Sequence, residues 1–240
     1  MCGIVGLVST TPVADRSRLE LARDTIVHRG PDSAGVWWSA DQRIGFAHRR
    51  LAIIDLSPAG HQPMESPERD TVIVFNGEIY NYQDLRRELQ QKGHVFRSQS
   101  DTEVILAAYR EWGDDCIARL NGAFAFAIHD IARQRVLMAR DRAGEKPLFY
   151  AADRDGLRFG SEIKALLTLV PQAVRVNALA LDCYLGSGYV PRDLCMVEGI
   201  HKLQPGQSLA YDLASATCRC WQYWDLPEPM FSYQALEDQR

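Results

Sequence analysis

The sequence predicts an α+β protein built on antiparallel sheets, and three observations carry that expectation. Short apolar runs of strand length recur along the chain, each closed by polar or Gly/Pro turns. Helical periodicity is confined to a few inserts between them. The two patterns do not alternate as βαβ units would require, so hairpin-built sheets with helices on their faces are expected.

Residues 4–8 form the first apolar stretch, far short of the roughly 20 residues a membrane span needs. No basic region precedes it, so neither signal peptide nor transmembrane segment is expected, and the location is taken as cytoplasmic. Residues 19–27 carry helical spacing. Residues 71–75 (TVIVF), β-branched and aromatic, read as a strand ending at Asn76-Gly77. Residues 85–91 return to helix, with Leu85 and Leu89 on one face. Ser100-Asp101-Thr102-Glu103 reads as a capping box, leading a helix with Val104, Ile105, Ala108 and Trp112 on its apolar face. Strands follow at 123–128 (AFAFAI), 136–139 (VLMA), 148–151 (LFYA) and 157–160 (LRFG). Past Asp212 the pattern weakens to a last strand around 221–224, a Leu226-Pro227-Glu228-Pro229 segment of linker composition, and residues 233–240 that open a helix. The expected division is a domain over 1–212 and a linker over 213–240.

The 240 residues are 46% hydrophobic and 24% charged, which excludes disorder; the net charge of −4, without a Lys/Arg run, gives no footprint for nucleic acid or an anionic membrane. The six cysteines (Cys2, Cys116, Cys183, Cys195, Cys218, Cys220) follow no disulfide framework and contain no CxxC. Reduced thiols and no metal are expected. Cys218-Arg219-Cys220 invites a metal or redox reading, beside the plainer one of two residues sharing a strand face.

Cys2 directly follows the initiator Met, so removal of Met1 would put a thiol and a free α-amine on one residue. A thiol with a reference pKa of about 8.5 needs activation, and an α-amine near 8 can take its proton. The plainer reading makes Cys2 the edge of a buried first strand. Asn76-Gly77 offers an amide and a flexible N–H, the two donors that acyl transfer needs for its oxyanion. It is also the commonest hairpin turn, and from these residues alone both readings stand.

Five motifs in order resemble the class II glutamine amidotransferase domain: Met1-Cys2-Gly3-Ile4-Val5-Gly6, His28-Arg29-Gly30-Pro31-Asp32, the run from His48-Arg49-Arg50-Leu51 to Ile54-Asp55, Phe75-Asn76-Gly77-Glu78-Ile79-Tyr80-Asn81, and Ser100-Asp101-Thr102-Glu103. The resemblance continues through Arg140-Asp141-Arg142-Ala143-Gly144, Gly160-Ser161-Glu162-Ile163-Lys164 and Leu203-Gln204-Pro205-Gly206. Within the class the motifs look like the glutamine-hydrolysing asparagine synthetase family. The resemblance implies the N-terminal nucleophile hydrolase fold, a four-layer αββα sandwich of two antiparallel sheets.

It also implies roles. Cys2 attacks the side-chain amide of L-glutamine, its own α-amine shuttles the proton, and Asn76 with Gly77 binds the oxyanion. Arg50 takes the α-carboxylate, as fork geometry suits, while Glu78 and Asp101 serve the α-ammonium and the Leu51 to Ile54 backbone lines the pocket. Strand alternation is expected to turn the neighbouring Arg49 to the opposite, solvated face. His28-Arg29-Gly30-Pro31 is expected to shape the pocket wall, and Tyr80 and Asn81 to support it from behind. An Asp101 in the first helical turn would also complement the helix dipole with no ligand at all.

No Ser-Gly-Gly-x-Asp-Ser pyrophosphate loop occurs, and Gly186-Ser187-Gly188 is a lone GxG of the kind found in turns. The chain is therefore expected to be a glutaminase fragment or subunit. No cofactor is expected in it, with ATP and Mg belonging to an absent synthetase domain, its own or a separate chain, that receives ammonia. Oligomeric state is left open, a homodimer included. Two other readings stay beside this one: a related enzyme amidating a different carboxylate, and a non-catalytic module that senses glutamine.

Overall fold

Along TVIVF and AFAFAI the side chains alternate in direction, yet both sets are buried, which requires a covered layer on each side. The computed structural model describes residues 1–170 and 174–227 and supplies those layers. In chain order the elements begin with β1 (Gly3–Ser9), α1 (Ser17–Asp24), β2 (Ser33–Trp38), β3 (Ile44–Arg50), β4 (Met64–Glu65), β5 (Thr71–Ile79), α2 (Tyr82–Gln91), α3 (Asp101–Trp112) and α4 (Cys116–Arg119). They continue with β6 (Gly122–Asp130), β7 (Arg135–Arg140), β8 (Phe149–Asp153), β9 (Gly156–Gly160), α5 (Ile163–Leu169), α6 (Ala178–Ser187), β10 (His201–Lys202), β11 (Gln207–Asp212) and β12 (Thr217–Gln222).

The strands form two six-stranded sheets, ordered β10-β8-β9-β1-β3-β2 and β12-β11-β7-β6-β5-β4, with antiparallel neighbours throughout. Val72, Val74, Ala125, Ala127 and Met138 of the second sheet pack against Ile4, Val8, Phe46 and Phe159 of the first. Ile73, Phe75, Phe124, Phe126 and Ile128 turn outward onto Leu85, Leu89, Val104, Ile105 and Tyr109 of α2 and α3. Val5, Leu7 and Ala47 on the far side of the first sheet meet Leu19 and Ala22 of α1 and Ala165 and Leu169 of α5. The result is the four-layer αββα sandwich, in which β1 and β5 face each other across the inner core. Among the described residues no helix is long and apolar enough to cross a membrane.

Local expectations are modified in four places. Asn76-Gly77 is no turn: it lies inside β5, opposite Ala125 and Phe124 of β6. A Cβ at Gly77 would overlap Ala123 O and crowd Phe124 Cα at 2.7 Å, so glycine is needed for the approach of the neighbouring strand rather than of substrate. Ser100 does cap α3, accepting from Thr102 N at 3.1 Å, but Glu103 reaches past it to the N–H groups of Arg97 and Ser98, both at 2.8 Å. The boundary expected at 212 falls inside a hairpin, because β11 and β12 pair from Gln207↔Gln222 to Asp212↔Thr217. Residues up to Gln222 thus belong to the sheet rather than to a linker, and the last strand starts earlier than 221. Gly186-Ser187-Gly188 ends α6, with Gly188 in the left-handed conformation at φ +78 donating to Tyr184 O. The expected helix at 233–240 lies outside the described residues.

Candidate active site

Cys2 immediately precedes β1, so the central strand of the first sheet delivers it to one end of the inner core. Its half-buried Sγ sits 3.4 Å from Leu51 N and 3.5 Å from Leu51 O, just past the end of β3. Burial pushes the thiol up, while the Leu51 N–H, the N-terminal ammonium and Arg50 pull it back. A thiol in this state reacts only when a base takes its proton. No histidine is among the described residues lining its cavity, a space of about 130 Å³.

Across that cavity lies β5. Backbone groups of alternate residues on a strand point the same way, and those turned away from β6 are taken in succession. Ile73 pairs with Met64 of β4, Phe75 N donates to Gln62 Oε1 at 2.6 Å, and Ile79 N donates to Asp101 Oδ2 at 3.0 Å. Between them the Gly77 N–H faces the cavity that Gly77 lines. Asn76 is 1% exposed, and neither Nδ2 nor Oδ1 has a hydrogen-bond partner among the described residues. A buried amide left without a partner costs free energy, which a polar group entering the cavity would relieve.

The remaining wall carries charge. Arg50 donates to Ser57 O at 3.1 Å and to Asp55 O, which fixes its guanidinium while leaving further donors for an anion. Asp55 in turn accepts from Ser57 N at 2.8 Å and Gln99 N at 2.9 Å, stapling the 51–57 loop to the approach of α3. Asp101 is pushed up to about 6, chiefly by burial and in part by nearby Glu78, and an arriving ammonium would relieve both. The structure thus brings Cys2, Arg50, Leu51, Ile54, Asn76, Gly77, Glu78 and Asp101 to one cavity.

Other expectations are redistributed. His28 and Arg29 do not line the cavity; Arg29 donates to Cys2 O at 2.9 Å and, with His28, binds Glu162, so this motif fastens the backbone of Cys2. Arg49 does turn from Arg50, but it is not solvated: its side chain is 13% exposed and donates to Gly30 O at 3.0 Å. Asn81 bonds Arg119 O and Asn121 N, tying the end of β5 to the start of β6, and Tyr80 is exposed. Cys218 and Cys220 share one exposed face of β12, as the plainer reading had it. Sequence reasoning missed Gln62, Thr102 and Lys146, which line the cavity. Lys146 sits in the loop after the quoted Arg140 to Gly144 motif, whereas nothing in the sequence marked Gln62. A larger groove of about 580 Å³ beside α3 shares no residue with the cavity, and its charges neutralise one another, Arg110 on Glu68 and Lys92 on Glu111.

Residues 1–224 match the family model of a glutamine amidotransferase domain. The chain is 39% identical over 231 residues to asparagine synthetase (glutamine-hydrolyzing) 3 of Bacillus subtilis, covering 94% of this chain and 37% of that protein. It is 39% identical over 210 residues to asparagine synthetase (glutamine-hydrolyzing) 1 of the same organism, covering 86% of this chain and 33% of the other. The chain therefore spans about a third of the length of these curated relatives. The glutamine phosphoribosylpyrophosphate amidotransferase of B. subtilis shares the fold, with a TM-score of 0.68 at 18% identity over 94% of this chain and 50% of that one.

Proposed function

The chain belongs to the glutamine amidotransferase domain family, and on that premise we propose that it hydrolyses L-glutamine to glutamate and ammonia at Cys2. Arg50 binds the α-carboxylate, and Asp101 with Glu78 binds the α-ammonium, which places the side-chain amide toward Sγ. Once Met1 is removed, the α-amine of Cys2 takes the thiol proton as Sγ adds to the amide carbon. The oxyanion so formed is held by Asn76 Nδ2 and the Gly77 N–H, donors of this kind contributing about 3 to 4 kcal/mol each. The protonated amine then gives its proton to the leaving nitrogen, ammonia departs, and a thioester remains. Water, deprotonated by the same amine, adds to the thioester carbon and releases glutamate and the thiol.

The observation that carries this reading is the buried Asn76 amide, which has no partner among the described residues and lines the same cavity as Cys2. The steps need no cofactor, since nucleophile, base and donors all come from the chain. We further propose that the ammonia serves an ATP- and Mg-dependent synthetase portion, asparagine synthesis being the whole-protein activity that the relatives' names favour, in the cytoplasm. A homodimer is compatible with this.

The test is ammonia release from glutamine by protein whose Met1 removal is verified by mass spectrometry. Turnover is expected in that protein, loss in Cys2→Ala, and very little in Cys2→Ser. Turnover by Cys2→Ala near the unsubstituted level, or none in the processed protein, overturns the proposal.

A further inference from the structure

A two-residue β4 leaves β5 without a strand neighbour at the point where its donors are needed. Pairing stops at Met64↔Ile73, and the next backbone pair directed to that side belongs to Phe75. Two side chains take the place of the missing strand. Gln62 Oε1 accepts from Phe75 N at 2.6 Å, and His48 Nε2 donates to Phe75 O at 3.0 Å. Gln62 is 5% exposed and its Nε2 donates to Thr102 Oγ1 at 3.2 Å, in the first turn of α3, beside Asp101. His48 is fully enclosed and burial drives it down to about 3, so it stays neutral and acts as a fixed donor. Beyond Phe75 the next backbone pair turned to that side is that of Gly77, and Asn76 lies between them.

We propose that Gln62, assisted by His48, is a positioning residue for the oxyanion site: Gln62 holds the N–H of Phe75 and His48 its carbonyl, and together they set the direction of the Gly77 N–H and the Asn76 amide. This rests on the glutaminase reading above. Gln62 stands in for a strand whose backbone would otherwise lie where the cavity opens. A real β4 extended by two residues would pair Phe75 equally well, but its next residue would also cover Gly77. A side chain satisfies the one position and leaves the next accessible.

The test compares Gln62→Met, which keeps the length but offers no acceptor to Phe75 N, with Gln62→Glu, which keeps an acceptor oxygen. The expected result for Gln62→Met is a kcat lower by about 10- to 100-fold with KM for glutamine changed by less than about 3-fold, because donor direction matters to the tetrahedral state more than to bound glutamine. Gln62→Glu is expected to recover kcat to within about 5-fold of the unsubstituted protein. Amide spectra of isotope-labelled protein provide a readout that does not depend on turnover. In Gln62→Met the Asn76 and Gly77 N–H resonances are expected to shift, and that of Gly3, the first backbone amide of the processed chain, to stay in place. A KM effect equal to the kcat effect, failure of Gln62→Glu to recover, or unmoved Asn76 and Gly77 resonances each overturn the proposal. Should Gln62→Met not fold, Thr102→Val frees the other end of the Gln62 side chain and is read by the same kcat and KM split. If the unsubstituted, processed protein shows no turnover, the glutaminase reading fails while the amide spectra still decide the positioning.

Discussion

Asp101 is 4% exposed, and its carboxyl rises from an ordinary 3.8 to about 6 because burial outweighs the N–H groups of Ile79 and Thr102. Between those two values the folded form holds the proton more tightly than the unfolded chain does. This stability is therefore fully present below about 3.8 and is lost as pH rises through 6, beyond which it changes no further. Asp101→Asn should stabilise the unliganded protein at pH 7.5 by roughly 2 to 3 kcal/mol, a gain that vanishes near pH 4, while weakening glutamine capture. Thermal melts at the two pH values check this, and a lower Tm at pH 7.5 would contradict it. Arg50→Lys keeps the charge and loses the fork, so kcat/KM should fall by about 1.5 to 3 kcal/mol in transition-state terms. Arg49→Ala instead removes a side chain that bonds Gly30 O and lies 3.6 Å from Asp24, so it should lower Tm and leave KM nearly unchanged. At this scale the motifs named every charged group of the cavity except Lys146. The sequence could not place Arg49, because alternation gives a side chain its face and says nothing of what packs there.

Elements carry information that single residues conceal. Asn76-Gly77 has the composition of a hairpin turn, and only its pairing with Ala125 and Phe124 of β6 makes it strand. Such pairing is non-local, so a pattern of strand-forming residues does not reveal it, whereas the helix after Ser100 announces itself through cap and periodicity within a dozen residues. The unpartnered amide inside β5 yields an unusual prediction, in which activity and stability part. Asn76→Ala should lower kcat by roughly 10² to 10³ with little change in KM. It should not lower Tm, because the group removed is buried without a hydrogen bond and its loss relieves desolvation. If Tm drops by several degrees together with kcat, the amide has a structural partner and the donor role is wrong.

For the whole molecule, the layers could be named from the motifs, but the edge of the second sheet could not be drawn. Residues 213–216 form a turn of small residues after Leu213 and Thr217–Gln222 alternates poorly, so the segment carries no strand pattern although it closes on a strand. What fixes it is contact beyond its own sequence. Trp221 and Tyr223 pack against the core under α2 and α3, Tyr223 OH donates to Arg140 O at 2.7 Å, and the Arg142 guanidinium lies 5.8 Å from the Trp224 ring. Cutting the chain after Asp212 would remove those two aromatic side chains from the core and bare the outer edge of β11. The loss should be about 2 to 4 kcal/mol from apolar burial, and the bared edge should favour association between copies. A chain ending at residue 227 should therefore melt at a higher temperature and sediment with less aggregate than one ending at 212. Equal melting temperatures would mean that β12 adds nothing to the fold. Glutamine turnover in the shorter chain should then fall only in proportion to its folded fraction, since neither strand of the β11–β12 hairpin contributes a residue to the Cys2 cavity.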